Sequence, residues 1–467
     1  INNDNGKIIA ISGETGSGKS SLIGTVKQAL AEEQIVWLVG QNCNVTRAIP
    51  FNFFQDLFKS MFAIPIYNVN IDNSKAIIHE ILKNNIGITD TYIEDSLINI
   101  LFPEQEKDEL KIIENEKAAF NTVFTILNTV SQKAKLIIVV EDFDEMDNAS
   151  YRCFKFMLDK GLLNSNIKLI ITHNNKLPIQ NYLNSPVLND TNVANYRIKL
   201  LSDNEINTSI INFLNNQDIL PENIKKQICE NSKGLPIYIE EVLLLLMQIG
   251  ALYSEGDYLK PHPEISSFTL PDSIEKVIKI RINTLAKASE DAFRALCYSA
   301  LLGYKFMPAI VKMLLEIDDQ KFSEIMQMLV ANGFFMAIDN YNFIFKNRYI
   351  WEIIKTHGLN EHQKLSCYTN IFQVLDKNTE TLSSILATCA EAADLKQYAY
   401  GYWNKSAKEA VSAGDISAYT ISQNRILSLI DSIEIDNKDE IKTHIYEYVG
   451  KLIYENNPNE AITYLSN

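Results

Sequence analysis

A glycine-rich segment near the start of the chain most strongly limits the folds that this sequence can adopt. The segment Gly13–Ser20 reads GETGSGKS and fits the pattern G-x-x-x-x-G-K-[ST] without exception. A β-branched run, Ile8–Ser12, precedes it, and a helical pattern begins at Lys19. Glycines let the backbone curl so that successive N–H groups face one anion at the positive end of a helix. The segment therefore predicts a strand–loop–helix unit that binds phosphate.

The first part of the chain alternates short apolar runs with amphipathic segments, which predicts an α/β fold with a parallel sheet and crossover helices. Continuous runs such as LIIVV are typical of strands that are covered on both faces. The predicted strands are Ile8–Ser12, Ile35–Val39, Leu136–Val140 and Ile167–Thr172. The predicted helices are Lys19–Glu32, Phe53–Phe62, Ser74–Asn84, Glu114–Ser131 and Ser150–Lys160. The aromatic residues with helical spacing are predicted to be core, namely Phe51, Phe53, Phe54, Phe58 and Phe62.

After Arg197 the pattern becomes helical. Ser202, followed three residues later by Glu205, is typical of a capping box at the start of a helix. Several helices and one extended stretch, Phe334–Phe345, follow, and beyond Asn360 helix pairs recur at a spacing of roughly 35–45 residues. This spacing indicates an array of helical repeats. The pattern divides the chain into an α/β part (1–197), two mainly helical parts (198–270 and 271–358) and an incomplete array of helical repeats (359–467).

A phosphate-binding loop needs an acidic partner at the tip of a neighbouring strand to hold Mg²⁺ and to orient the attacking water. The run Leu136–Val140 ends at Glu141 and Asp142, which supply two carboxylates. By position Glu141 takes the metal place and Asp142 the base place, although the residues leave open which carboxylate has which role. The plainer alternative is a solvated acidic loop.

Each residue of the loop has an expected role. Lys19 reaches the β- and γ-phosphates as a point charge, and the Ser20 hydroxyl completes the Mg²⁺ shell. ATP with Mg²⁺ is the expected ligand, and Lys19, Asp142 and Glu141 are the candidate catalytic residues. The candidate metal ligands are Ser20, Glu141 and Asp142. The candidate nucleotide-binding residues are Gly13, Glu14, Thr15, Gly16, Ser17, Gly18, Lys19, Ser20 and Ser21.

Composition excludes several classes of protein. A net charge of −15 repels phosphate backbones, so generic nucleic-acid binding is disfavoured. The longest apolar run, Val242–Tyr253, is too short to cross a membrane. The 6 cysteines lie far apart without metal-ligand spacing, which favours reduced thiols and a cytoplasmic location. Because the chain begins at Ile1 and stops inside a helical pattern, we interpret it as a piece of a longer polypeptide.

Together these stretches resemble the AAA-like STAND ATPase module of class III adenylyl or guanylyl cyclases, MalT/LuxR-type regulators and some Ser/Thr kinases. The likeness rests on five stretches: ISGETGSGKSSL, VGQNCNVTRAIPFNFFQDLF, IIVVEDFDEMDNASYRCF, GLPIYIEEVLLLLMQIGAL, and LPDSIEKVIKIRINTL with the later FIFKNRYIWEII. The resemblance implies that these parts are a P-loop ATPase core (1–197), a helical lid (198–270), a winged-helix-like domain (271–358) and incomplete TPR-like repeats (359–467). It further implies a nucleotide-controlled switch in which core and lid clamp ATP or ADP and helical repeats bind a protein partner. It also implies that Pro236 lies near the adenine and allows a nucleotide-dependent oligomer.

The chain departs from that family in three places. It starts too late to include the family's V-G-R-E segment, which helps to hold the base. His173-Asn174-Asn175 stands where an Arg that senses the γ-phosphate is expected, and Asn347 stands where many relatives have a His. An Asn can hydrogen-bond a phosphate without supplying charge, so slow hydrolysis is expected.

Several single residues have alternative interpretations. His173 is a phosphate sensor or a structural residue, with the structural role favoured. Arg281 reaches phosphates or forms an ion pair, with the ion pair favoured. Tyr398, Tyr400, Tyr402 and Trp403 pack between repeat helices or bind a partner. For the whole chain, the alternatives to a regulatory ATPase are a degenerate nucleotide-binding scaffold and, disfavoured by charge, a DNA-dependent ATPase of the origin-binding kind.

Overall fold

The computed structural model describes residues 7–42, 48–64, 70–174, 178–183, Ser185, Leu188, 192–256, 258–338, 342–377, 381–454 and 458–466. Asn175 and Cys43, which the sequence interpretation includes, lie outside these residues.

A parallel sheet of five strands forms the first part of the molecule, in the spatial order β2-β3-β4-β1-β5. Because β4 lies between β1 and β3 and all neighbours are parallel, the carboxyl ends of these three strands meet at one edge. The strands are β1 (Ile8–Ser12), β2 (Ile35–Gln41), β3 (Lys135–Glu141), β4 (Ile167–His173) and β5 (Val193–Arg197).

Helices cover both faces of this sheet. One face packs against a large apolar cluster that includes the predicted phenylalanine core, whose rings are all at most 1% exposed. The other face packs against a small cluster around Ile11, Ile23 and Val139. The α3 helix continues into a π-helical turn, Ile81–Ile86. The helices are α1 (Lys19–Ala29), α2 (Asn52–Met61), α3 (Ile71–Glu80), α4 (Thr91–Leu101), α5 (Ile112–Lys133), α6 (Asn148–Asp159) and α7 (Gln180–Leu183).

A small helical unit follows the core and has its own apolar cluster. Its first helix begins with the capping box that Ser202 and Glu205 were predicted to form. The unit comprises α8 (Asp203–Phe213), α9 (Glu222–Ser232), α10 (Pro236–Gln248) and the hairpin β6 (Leu252–Glu255) and β7 (Tyr258–Pro261).

The next unit combines helices with a three-stranded antiparallel sheet in the order β8-β10-β9, as in a winged helix. The extended stretch that the sequence predicts resolves into β9 and β10. Its elements are α11 (Ile274–Ala288), α12 (Glu290–Leu302), β8 (Lys305–Phe306), α13 (Pro308–Leu315), α14 (Asp319–Ala331), β9 (Phe335–Ala337), β10 (Phe343–Phe345) and α15 (Arg348–His357).

The rest of the described chain is a stack of helices in which each packs mainly on its sequence neighbours. Their apolar side chains and those of the winged-helix unit form one continuous cluster. Trp403 is buried within it, whereas Tyr398 is 57% exposed. The helices are α16 (Glu361–Asp376), α17 (Ser383–Ala392), α18 (Lys396–Ala413), α19 (Ile416–Leu429), α20 (Lys438–Ile453) and α21 (Pro458–Leu465).

The helical stack docks directly onto the sheet-containing core. The backbone N–H of Phe51 donates to Asp415 Oδ2 at 3.0 Å, and Asn115 Nδ2 donates to the Val411 carbonyl at 2.8 Å. Gly414, with φ 75°, lies against the α5 backbone, where an added Cβ would be 2.2 Å from the nitrogen of Glu116.

The predicted fold class, a P-loop core with a parallel sheet followed by lid, winged-helix-like and repeat regions, is confirmed. The domain boundaries stay a prediction. Among the described residues no helix has the length and apolar character needed to cross a membrane.

Candidate functional site

The glycine-rich loop turns from β1 into α1 with left-handed backbone at Gly16 (φ 80°) and Gly18 (φ 96°). The N–H of Gly13 donates to the His173 carbonyl at 3.2 Å, which ties the loop to the end of β4. Gly18 is the N-cap of α1, and the helix begins at Lys19. The loop therefore surrounds the positive end of a helix dipole, the place in the fold best suited to an anion.

Lys19 is 7% exposed and its ammonium group lies under the loop. Its Nζ donates to the Gly13 carbonyl at 2.8 Å, to the Glu14 carbonyl at 3.2 Å and to Asn174 Oδ1 at 2.7 Å. Burial lowers the pKa of Lys19, and the charges of Asp142, Asp144 and Glu141 oppose that shift. A phosphate at the loop would act in the same direction as these carboxylates and stabilise the charged amine.

Glu141 and Asp142 lie at the same sheet edge but have different partners. Glu141 ends β3, and Ser20 is among the groups that act on its carboxylate. Burial and the neighbouring Asp142 raise the pKa of Glu141, and Ser20 and Lys19 lower it. Asp142 has left-handed backbone (φ 50°), and its N–H donates to Thr172 Oγ1 at 2.9 Å. The left-handed backbone at Asp142 directs the two carboxylates to different places. Glu141 lies near Ser20, whereas Asp142 can contact another side chain.

These residues fit a magnesium–nucleotide complex. Mg²⁺ in such sites takes one or two protein oxygens and completes its shell with phosphate oxygens and water. Ser20 and one of the carboxylates of Glu141 and Asp142 would supply those oxygens, and their role as metal ligands stays a prediction. In the described part of the chain no group of three or more His, Cys, Asp or Glu side chains is arranged to hold a metal. When bound, Mg²⁺ would neutralise charge on the phosphates.

Three residues outside the predicted set complete the site. Arg348, the first residue of α15, places Nη1 3.6 Å from Asp142 Oδ2 and Nη2 3.8 Å from Glu145 Oε2. Asp144 accepts the N–H of Asn174 at 3.1 Å and so fixes the residue whose amide oxygen contacts Lys19. The sequence indicates Asn174, because this residue directly follows β4, at the sheet edge where the loop lies. Arg348 gave no local signal, because it resembles any surface arginine at a helix start.

The lid closes over the loop through the start of α10. The N–H of Ile237 donates to the Gly16 carbonyl at 3.3 Å. An added Cβ on Gly16 would be 2.3 Å from Ile237 Cγ2, so a glycine is required for this contact. Pro236 occupies the first turn of α10 beside Ile237, at the mouth of the loop. Its contact with adenine stays a prediction.

The remaining candidates have structural partners. His173 is 2% exposed, and its ring lies 6.2 Å from that of Tyr182, which favours the structural interpretation. Arg281 is fully buried and pairs with Glu241, so the predicted ion pair is confirmed. Asn347 Nδ2 donates to Glu241 Oε1 at 2.8 Å, and its Oδ1 accepts the Ile350 N–H, which caps α15. Lid and winged-helix unit are therefore joined by a buried Arg281–Glu241–Asn347 network.

Residues 1–171 match the family model of the AAA ATPase domain. No curated protein sequence matches the chain. Among solved structures, a STAND protein with a tetratricopeptide repeat sensor from Pyrococcus horikoshii is 14% identical with a TM-score of 0.45. The alignment covers 99% of this chain but only 61% of that protein. The Aeropyrum pernix ORC2 protein, in complexes with ADPNP and ADP, is 10% identical with a TM-score of 0.33 over 75% of this chain and 86% of that one.

Structural likenesses this distant carry no argument about activity. The family match is a sequence match, and its residues include the glycine-rich loop, both carboxylates and the first five residues of β4. The predicted P-loop ATPase is thereby confirmed at the level of an AAA-like module. Residues 1–171 of this chain are thus similar to an AAA ATPase domain and carry its phosphate-binding loop.

Proposed function

We propose that this chain is the nucleotide-controlled switch of a larger signal-transduction protein, such as an adenylyl or guanylyl cyclase, with slow Mg²⁺-dependent ATP hydrolysis. The observation that carries the proposal is the contact between Arg348 and Asp142, at 3.6 Å. Because Arg348 belongs to the winged-helix unit, the position of that unit determines whether Asp142 is paired. A switch needs such a dependence of the chemical site on a distant part of the molecule.

Each residue has a proposed part in the reaction. Lys19 and the loop N–H groups bind the β- and γ-phosphates, and Ser20 with Glu141 hold Mg²⁺. Asp142 orients the attacking water and accepts its proton. Asn174 contacts the γ-phosphate through a neutral amide where an arginine would supply charge, which favours slow turnover.

Two substitutions test this assignment. Lys19→Ala should abolish ATP binding, because it removes the charge beneath the loop. Asp142→Asn should retain ATP binding but lose phosphate release by roughly a hundredfold or more. Binding is measured with a fluorescent ATP analogue and turnover by phosphate release with and without Mg²⁺. Unchanged nucleotide affinity in Lys19→Ala would refute the site.

The same measurements separate the switch from a scaffold that binds nucleotide for stability alone. Phosphate release that depends on Mg²⁺ and is lost in Asp142→Asn supports the switch. Tight ATP binding with no release at any protein concentration supports the scaffold, whose work would lie on the repeat surface.

Partners and location belong to the same proposal. The repeat helices offer exposed aromatic groups such as Tyr398, which suits a protein partner, and the net charge of −15 disfavours nucleic acid. The described cysteines are free thiols, and Cys153, Cys297 and Cys389 are buried, which fits a reducing compartment such as the cytoplasm. Nucleotide-dependent oligomerisation is a further expectation from the family.

A further inference from the structure

A cavity of about 360 Å³ lies between the core, the winged-helix unit and the repeats, and no residue of the glycine-rich loop lines it. α2 and the end of α4 form one wall, the segment from Leu301 to Lys305 forms the second, and α17 forms the third. Much of the lining is apolar, including Leu101, Phe102, Leu302, Leu382 and Ile385. The cavity therefore suits a compact molecule with an apolar body.

One end of the cavity carries a positive charge. Lys59 lines it, and its Nζ donates to Gln55 Oε1 at 3.1 Å and lies 6.0 Å from the centre of the Phe102 ring. Within the described ranges no carboxylate pairs with Lys59, although the neighbouring lysines are paired, Lys305 with Asp56 at 2.7 Å and Lys75 with Glu104 at 3.6 Å. Burial lowers the pKa of Lys59 to about 8, so the amine is still largely charged at neutral pH.

A buried carboxylate among the lining residues disfavours a second anionic group on the ligand. Glu409 lines the cavity, and its carboxylate accepts hydrogen bonds from the N–H of Ser383 at 3.1 Å and from the Ser383 hydroxyl. Burial raises the pKa of Glu409 to about 7, so a share of these carboxylates stays ionised at neutral pH and would repel the second charge of a dicarboxylate.

Of the other lysines that line the cavity, Lys75 and Lys305 pair with carboxylates, and Lys355 Nζ lies 4.9 Å from the centre of the Trp351 ring. A doubly charged phosphate monoester would therefore rely mainly on the one ammonium group of Lys59.

We propose that this cavity is a binding site for a small organic monocarboxylate, held by Lys59 at its charged end and by apolar side chains along its body. The hydrogen-bonded ion pair would form inside a partly desolvated pocket, where it is stronger than in water. Nothing in this proposal depends on nucleotide binding.

The cavity also adjoins the nucleotide site. Tyr304 and Gln41 both line the cavity. Gln41 ends β2 in register with Glu141, and the charges of Glu141 and Asp142 both act on Tyr304. An effect of the carboxylate on phosphate release is therefore expected, and that second effect alone rests on the proposed function.

The test uses the full chain without nucleotide, with octanoate as the probe and octan-1-ol as its uncharged counterpart, titrated by isothermal calorimetry. Octanoate should bind one molecule per chain, and Lys59→Met should weaken its binding by about tenfold or more while changing octanol binding less than about twofold. Lys226→Met is the matched control, because Lys226 is 77% exposed on α9 and should leave both affinities unchanged.

A second variant guards against misfolding of Lys59→Met. Thr388 lines the cavity from an exposed position on α17, so Thr388→Trp should narrow the cavity without disturbing a core. It should weaken octanoate and octanol alike. Octanoate that does not saturate, or that binds Lys59→Met and Thr388→Trp as tightly as the parent chain, would overturn the proposal. Loss of ATP binding in Lys19→Ala would leave these titrations unaffected.

Discussion

At the scale of the residue, Arg348 connects the winged-helix unit to the acidic end of β3. Its side chain is 15% exposed and that of Asp142 is 23% exposed, so solvent screens the pair only in part. Burial raises the pKa of Asp142, and Arg348 is the largest of the opposing influences. An aspartate held in this way is directed at a guanidinium group instead of a water molecule.

Removing the guanidinium should therefore free Asp142. Arg348→Met is expected to raise the rate of phosphate release about fivefold, the equivalent of about 1 kcal/mol, with little change in ATP affinity. Arg294→Met is the matched control, since Arg294 lies on α12 and pairs with Asp291 at 3.4 Å, away from the site. A rate that falls or stays constant in Arg348→Met would mean that the contact does not restrain the enzyme.

The buried Arg281–Glu241 pair makes a different prediction, about stability. Both side chains are 0% exposed, so removing the arginine leaves the Glu241 carboxylate buried with the Asn347 amide in place of a full ion pair. Arg281→Met should lower stability by about 3–5 kcal/mol, whereas the double variant Arg281→Met/Glu241→Met should lose less. Thermal unfolding of the parent, the two single variants and the double variant gives the coupling free energy between Arg281 and Glu241. Losses of stability that simply add in the double variant would contradict an interaction between the two side chains.

At the scale of the element, the turn between α18 and α19 fixes how the repeats sit on the core. Gly414 has φ 75°, and an added Cβ would meet the α5 backbone at Asn115 and Glu116. Gly414→Ala should therefore weaken docking and increase hydrogen exchange along α5, which loses its cover. Gly401→Ala is the matched control on the exposed face of α18, where nothing lies within 4 Å of an added Cβ. It should be neutral or stabilising by roughly 0.5–1 kcal/mol.

How much of each element could be predicted depends on how local its signal is. β1, β3 and β4 were predicted because buried parallel strands read as continuous apolar runs. β5, with the sequence VANYR, was missed because it lies at an exposed edge, where four of its five side chains are not buried. β8 has only two residues, too few to show the alternation of apolar and polar side chains that indicates a strand. In the site, the contiguous loop from Gly13 to Ser20 was predicted as a set, whereas Arg348 reaches Asp142 only through tertiary folding.

At the scale of the whole molecule, two buried carboxylates meet where the repeats dock on the core. Asp147 caps α6 and Asp415 caps α19, and they accept the N–H groups of Phe53 and Phe51 respectively. Burial and the charge of Asp415 raise the pKa of Asp147 to about 6, and burial raises that of Asp415. Arg152 opposes the shift at Asp415.

The direction of the pH effect follows from these shifts. The docked state binds protons more tightly than the separated state, so docking strengthens as pH falls through about 6 towards the ordinary aspartate range. Asp415→Asn keeps a capping side chain but removes one charge. It should stabilise the molecule at about pH 7.5 and flatten the dependence of its melting temperature on pH between about 7.5 and 5. A dependence as steep as that of the parent chain would locate the titrating group elsewhere.

The continuous apolar cluster that runs from α11 to α21 has a mechanical consequence. Close-packed interiors transmit displacement with little internal yielding, so the winged-helix unit and the repeats should behave as one stiff arm. The far part of that arm also touches the core, since the Tyr448 hydroxyl donates to the Glu109 carbonyl at 2.5 Å and His444 Nε2 lies 3.0 Å from the Glu109 carboxylate. The arm should therefore move on the core only when the contacts at Arg348, Gly414 and Glu109 are released together.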